Sequence, residues 1–248
     1  MKILFLGSGT STGIPHIGCK CSTCTSTNIK DKRLRASVLI EINNNNILID
    51  CGPDFRQQIL KYQIDRIDSI LFTHEHYDHI GGLDDVRPLG NMNIYARRSV
   101  LEAIERNMYY CFAENKYPGI PVLQLNEVFD SEFIVNTIKI LPIEAMHYKL
   151  PILGFRIGNF AYLTDVKTLD KKAIKQLEKL DILVINALRK LDHIAHLTLD
   201  EALSLAKKIG AKKTYFTHIS HDLGLHDEVS KELNENIYLA YDGLILEL

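Results

Sequence analysis

The chain has 248 residues, of which 46% are hydrophobic and 24% charged, with a net charge of −2. That is enough apolar material for one sizeable soluble domain, and the charge balance excludes the strongly basic profile of a nucleic-acid-binding chain. No apolar run approaches the roughly 20 residues that a membrane span needs. Residues 1–248 read as a single domain, because no repeat, low-complexity segment or linker interrupts them.

The first predicted strand, Ile3–Leu6, passes into Gly7-Ser8-Gly9-Thr10 too early for a secretory signal, so a cytoplasmic location is expected. Three of the five cysteines follow, at Cys19, Cys21 and Cys24. Strands Ser37–Ile42 and Ile47–Asp50 flank Asn43–Asn46, a hairpin turn, since Asn tolerates left-handed backbone. A helical period covers Phe55–Tyr62, and Ser69–Thr73 is again β-rich. Helix Ser99–Asn107 leads into an aromatic segment, 107–121, read as a lid or an interface. Strands at Phe133–Leu141, Gly154–Ile157 and Ala161–Thr164 precede a helix at Leu169–Leu180 and a strand at Ile182–Ile185. Thr198 and Glu201 form a capping box for helix Leu199–Ile209, and Gly210 stops it. Strand Thr214–Thr217, helix Asp227–Leu233 and strands Ile237–Ala240 and Leu244–Leu246 complete the chain. Strand-dense stretches beside helices in both halves predict an α/β fold with two β-sheets covered by helices.

The run Thr73-His74-Glu75-His76-Tyr77-Asp78-His79 sits where an apolar strand ends. Packing that many strongly solvated side chains there without a ligand would cost desolvation and repulsion. Imidazole and carboxylate together suit Zn²⁺, Mn²⁺ or Fe. His74 and His76 can face one side, while the Asp78-His79 pair turns onto a helix start and faces another. That geometry suits two neighbouring metals.

His-x-His-x-Asp-His resembles the signature of the metallo-β-lactamase fold hydrolases, which implies an αββα sandwich. Further marks follow in family order. Asp50-Cys51-Gly52 resembles the early supporting Asp, Met146-His147 the third His ligand, Leu163-Thr164-Asp165 the bridging Asp, and Phe216-Thr217-His218 the last His ligand. The resemblance implies that His74, His76 and His147 hold one metal, that Asp78, His79 and His218 hold a second, and that Asp165 bridges them. Two such cations activate a shared water and clamp attacking and leaving oxygens.

Cys19, Cys21 and Cys24 leave a tetrahedral Zn²⁺ one ligand short. His221, three residues after His218, is the candidate for the fourth position, and a loose redox-active thiol cluster is the alternative. Cys-x-Cys-x-x-Cys after a Gly-rich turn, together with Thr217-His218-Ile219-Ser220-His221, resembles the PhnP group, which carries such a structural zinc. That group comprises phosphodiesterases acting on phosphoribosyl cyclic phosphate. The opening run Gly7–Pro15 is shared in style with tRNase Z.

His196, in His196-Leu197-Thr198, resembles the His that assists the phosphate in both groups. It is read as the general acid or as a donor to a phosphate oxygen, and Asp78 joins it as a catalytic residue. The expected substrate is a small or cyclic phosphodiester, cleaved through a hydroxide held between the two metals. Alternatives are a tRNase Z-like ribonuclease, a hydrolase of another ester or lactam, and a PqqB-like binding or carrier protein. The charge of −2 and the lack of a basic arm argue against tRNA. A homodimer is the commonest assembly for such a chain. Lys30–Arg35, Arg189, His193 and His226 read as surface groups, Cys51 as a small buried residue, and His16 as either pocket lining or loop.

Overall fold

The computed structural model describes all 248 residues. The chain lays down β1 (Lys2–Gly7), β2 (Ser37–Ile42), β3 (Asn45–Ile49), β4 (Ser69–Leu71), β5 (Asn91–Ala96) and β6 (Val122–Glu127). There follow β7 (Phe133–Val135), β8 (Ile138–His147), β9 (Leu150–Ile157), β10 (Phe160–Tyr162), β11 (Ile182–Asn186), β12 (Lys213–Thr217), β13 (Ile237–Leu239) and β14 (Ile245–Glu247). They form two seven-stranded sheets, ordered β14-β1-β2-β3-β4-β5-β6 and β13-β12-β11-β10-β9-β8-β7. Each half of the chain starts with antiparallel hairpins and ends with parallel strands. In both sheets the parallel strands need crossovers, and helices supply them; two further single-turn helices, α1 (Ser22–Thr25) and α5 (Tyr109–Phe112), precede β2 and β6.

The period of two along each strand explains the layering. Ile3 and Phe5 face the second sheet, packing with Phe155, Tyr162 and Val184. Leu4 and Leu6, one residue out of step, face the outer layer. There they meet α2 (Phe55–Tyr62) and α4 (Arg98–Asn107) through Phe55, Ile59, Leu101 and Ile104. The outer face of the second sheet, with Ile143, Leu183 and Phe216, packs on α6 (Lys171–Gln176), α7 (Leu199–Ile209) and α8 (His226–Glu232). The strands read as continuous apolar runs because both of their faces are covered. The result is an αββα sandwich. No helix is long and apolar enough to cross a membrane.

Three local expectations change. The strand expected over Phe133–Leu141 is two, β7 and β8, paired antiparallel about a turn at Asn136, where φ is 54°. The Asn43–Asn46 turn is only two residues long, with φ of 47° at Asn43 and 60° at Asn44, and β3 already starts at Asn45. A two-residue primed turn matches strand twist and needs positive φ at both positions, which Asn accepts. The helix expected over Leu169–Leu180 covers only Lys171–Gln176. Asp170 caps its start, and the Lys179 φ of 60° lies beyond its end. The capping box on α7 is present as expected, and Gly210 ends the helix at φ 71°.

Candidate metal centre

The site forms at the carboxyl ends of the parallel strands, where loops from both sheets meet. Phe72 and Thr73 carry the chain out of β4 to His74, and His76 caps the single helical turn α3 (Tyr77–Ile80). That turn brings Asp78 and His79 beside the same space as His74, with the His79 ring 4.2 Å from that of His74. The remaining groups come from the end of β8 (His147), the loop after β10 (Asp165) and the loop after β12 (His218). Asp165 and His218 hold φ of 60° and 53°, and Asp50 holds 63°. Such left-handed backbone is sparsely populated for residues other than Gly and clusters at functional sites. At Asp165 the surroundings hold it, since the Asn186 amide brackets Val166, accepting from its N–H at 2.7 Å and donating to its carbonyl at 3.0 Å.

The hydrogen bonds fix which imidazole nitrogen is free. Thr73 N–H and Oγ both donate to Asp50, each at 2.9 Å. Having spent its one proton there, Thr73 Oγ accepts from His74 Nδ1 at 3.0 Å. His79 Nδ1 donates to Asp50 Oδ2 at 2.7 Å. His147 Nδ1 donates to the Ala195 carbonyl at 2.9 Å. Each of these rings therefore turns Nε2 into the shared space, the arrangement in which an outer hydrogen bond orients a metal-ligating histidine.

Carboxylate oxygens and imidazole nitrogens crowd that space. His79 Nε2 lies 3.1 Å from Asp78 Oδ2 and 3.3 Å from Asp165 Oδ2, and His218 Nε2 lies 3.2 Å from Asp165 Oδ1. Two ligand atoms on one tetrahedral ion, each at about 2.1 Å, stand about 3.4 Å apart, so these separations suit a shared cation. Nε2 of His74, His79 and His218 is buried without a hydrogen-bond partner. Burial drives His74 well below its ordinary pKa. Burial opposes charge on His79 as well, yet Asp50, Asp165 and Asp78 together raise it well above the usual value. Burial would raise Asp165, but His218 and His79 hold it well below the carboxylate range. The donor set fits divalent cations: His74, His76 and His147 could hold one, Asp78, His79 and His218 another, and Asp165 lies against both.

Two glycines let the loops meet. A Cβ on Gly52 would lie 2.0 Å from the Asp78 carbonyl oxygen, and one on Gly82 would lie 2.2 Å from that of Gly52. Cys51 N–H donates to the His79 carbonyl at 2.7 Å, and Gly82 N–H to the Cys51 carbonyl at 2.8 Å. Cys51 itself is buried, as expected, and burial pushes its thiol well up.

His196 sits over the cluster. Its ring stacks on His218 at 4.9 Å and tilts against His147 at 4.6 Å, and its Nδ1 lies 3.7 Å from Asp165 Oδ1. Burial, then His218, push its pKa down to about 3. The ring thus stands where it faces both donor sets, as either of its two expected roles requires.

The second expected cluster also assembles. Cys19 Sγ and Cys21 Sγ lie 3.6 and 3.4 Å from His221 Nδ1, and Cys24 completes the group. Ligands at about 2.3 Å (S) and 2.1 Å (N) on one tetrahedral Zn²⁺ stand about 3.6 Å apart. No cysteine is in a disulfide. Amide N–H groups of His16, Cys21 and Cys24 point at the sulfurs. The Cys24 amide and His221 bring Cys21 down to about 6. The His16 ring stacks on that of His221 at 5.3 Å.

Two residues read as surface groups lie elsewhere, and a third, His193, is only partly exposed. Arg33 and His226 are buried, at 3% and 5% exposure, and bonded to each other. His193 packs against His196 at 4.8 Å between ring centroids. Arg189 holds its own loop, donating to the carbonyls of Leu191 and Asp192. Asn186 and Ala195 were invisible to sequence reasoning, since a supporting amide or backbone carbonyl has no motif. In the aromatic segment, Tyr110 donates to Asp84 at 2.7 Å and lines a cavity of about 160 Å³ with Tyr77, Ile104 and Met108.

A family model described as a β-lactamase superfamily domain matches residues 45–219. An octanoyltransferase of Porphyromonas gingivalis is 44% identical over 250 residues, covering 98% of this chain and 51% of that protein. The chain spans about half the length of the curated relatives it matches. Among solved structures, a diphosphatase of the PhnP family superposes with a TM-score of 0.93 at 40% identity, covering 100% of this chain and 97% of that one. Zn²⁺-bound PqqB from Methylobacterium extorquens superposes with a TM-score of 0.83 at 19% identity over 100% of both chains, which shows the shared fold. With the family match running from β3 past His218, and 40% identity to a PhnP-family structure along its length, the chain belongs to the PhnP family of the β-lactamase superfamily.

Proposed function

We propose that the chain is a metal-dependent phosphodiesterase acting on a small or cyclic phosphodiester. The carrying observation is the pair of donor sets that share Asp165, with His196 against both His147 and His218. His74, His76 and His147 would hold one cation, and Asp78, His79 and His218 the second, with Zn²⁺, Mn²⁺ or Fe compatible with the donors. When bound, two such cations supply Lewis acidity and a nucleophile at neutral pH.

The chain's own residues do the rest. Asp50 and Thr73 fix the tautomers of His79 and His74, and Ala195 fixes that of His147. His196 donates its N–H to an oxygen of the phosphate as negative charge builds there, the kind of preorganised donor that stabilises a transition state. Cys19, Cys21, Cys24 and His221 would hold a structural Zn²⁺ that ties the N-terminal loop to the loop carrying His218. The diphosphatase among the similar structures supports phosphorus–oxygen cleavage.

A second reading, hydrolysis of an octanoyl or related acyl ester, is favoured by the octanoyltransferase relative. One panel separates the two. Protein loaded with Mn²⁺ or Zn²⁺ is given a chromogenic phosphodiester, a cyclic ribose phosphate, a diphosphate and an octanoyl thioester. Turnover of the phosphodiester or cyclic phosphate is expected. Turnover of the thioester alone overturns the proposal.

A further inference from the structure

The loop that carries His196 has no regular secondary structure between Ala187 and Thr198. Its backbone groups need partners from elsewhere. Arg189 supplies them for the carbonyls of Leu191 and Asp192. His193 supplies them for the amides: its Nδ1 accepts from Ala195 N–H and from His196 N–H, both at 3.2 Å. The turn so closed presents two groups to the metal centre. One is the Ala195 carbonyl, which receives His147 Nδ1–H at 2.9 Å. The other is the His196 ring, on which the His193 ring packs at 4.8 Å.

We infer that His193 is a positioning residue: through one ring nitrogen it sets both the orientation of His147 toward its cation and the placement of His196 over the substrate. The inference rests on the proposed ligand role of His147 and donor role of His196. Nδ1 must stay unprotonated to accept two amides. Burial, then the Arg189 charge, lower the pKa of His193 and keep it so. Leu188 and Leu197 anchor the ends of the loop in the core, whereas Leu191 and Ile194 are 75% and 65% exposed, so apolar packing does little to hold its tip. The ends of the turn are held by Leu188 N–H to the Leu197 carbonyl at 3.0 Å, Leu199 N–H to the Arg189 carbonyl at 2.9 Å and Leu197 N–H to the Val166 carbonyl at 3.0 Å, and within it the amides of Ala195 and His196 are held by the His193 acceptor.

An acceptor role and a space-filling role predict different rescue. In His193→Asn, Oδ1 takes the position of Nδ1 and keeps the acceptor. In His193→Phe, the ring remains and the acceptor is lost. In His193→Gln, the acceptor is displaced by one methylene. The measurement is a competition titration of Zn²⁺ against a chromogenic chelator for each variant, with the cysteine cluster as internal reference, alongside kcat and KM on the phosphodiester.

The expectation is that His193→Phe weakens one cation of the His/Asp centre by about 10-fold or more and lowers kcat by about 10–100-fold, the usual cost of losing an outer hydrogen-bond partner. KM should change by less than kcat. His193→Asn should recover most of both losses. If His193→Phe does not fold, the comparison of His193→Asn with His193→Gln carries the test, with the Gln variant the weaker. Phe behaving as wild type, or Asn as impaired as Phe or Gln, overturns the inference. The titration needs no substrate, so a protein that hydrolyses no phosphodiester yet shows the Asn rescue in metal affinity would sink the proposed function and leave this role standing.

Discussion

Asp50 Oδ2 lies 2.7 Å from His79 Nδ1, and both side chains are fully buried. The pair joins a loop after β3 to the helical turn after β4. Asp50 also takes both donors of Thr73, so one carboxylate sets the rings of His74 and His79 together. Asp50→Asn keeps the shape but removes the charge that polarises His79. It is expected to weaken the cation held by His79 by about 10–100-fold, read by metal competition titration. Unchanged affinity at both positions would contradict the role given to Asp50.

Gly52 provides the close approach beside that pair. With its added Cβ 2.0 Å from a backbone oxygen of Asp78, Gly52→Ala must push the two loops apart. The expected destabilisation is about 3 kcal/mol, measured by urea unfolding, together with loss of metal affinity. A variant as stable as wild type would mean that the loops have slack that the structure does not show.

The cysteine cluster makes a separable prediction. His221→Ala removes one member of the group, and the variant should carry one metal ion fewer per chain while keeping those of the His/Asp centre. Its thermal midpoint should fall by about 5–10 °C, since about 2–4 °C follows each kcal/mol in a chain of this size. Unchanged metal content by mass spectrometry would remove His221 from the cluster.

A buried pair outside both clusters contributes to the pH dependence of stability. Arg33 Nη2 donates to His226 Nδ1 at 3.0 Å, which requires a neutral imidazole. Burial, then the Arg33 charge, push His226 down to about 4, against about 6.5 in an unfolded chain. Between those values the unfolded state binds more protons, so this group's contribution is complete above pH 6.5 and is lost as pH falls toward 4. The loss amounts to about 2 kcal/mol between pH 7 and 5. Asp242 works in the opposite sense, since burial raises it to about 6 and the folded state gains a proton over the same range. His226→Asn keeps an acceptor for Arg33 but does not titrate. Its unfolding free energy should fall less than that of wild type from pH 7 to pH 5, by about 2 kcal/mol, because every other group is common to both proteins. Equal slopes would contradict a buried neutral His226.

These residues also mark where sequence reading stops. His74, His76, Asp78 and His79 were legible because one strand end and one helical turn place them within a few residues of each other. His147, Asp165 and His218 were legible through their order behind that motif, and the capping box on α7 through a purely local rule. Arg33 and His226 read as surface groups in the sequence because what buries them is 193 residues away in the chain. His193 reads as surface in the sequence because accepting from backbone amides leaves no pattern of residue types. The two sheets were legible as strand-dense stretches, whereas α6 came out half as long as its apolar period suggested.

The measurement that bears most directly on the account is the metal content of the folded chain after loading with Zn²⁺ or Mn²⁺, by native mass spectrometry. Two donor sets sharing Asp165 and one cysteine-histidine cluster predict about three ions per chain. A folded chain that takes up one ion or none would contradict it.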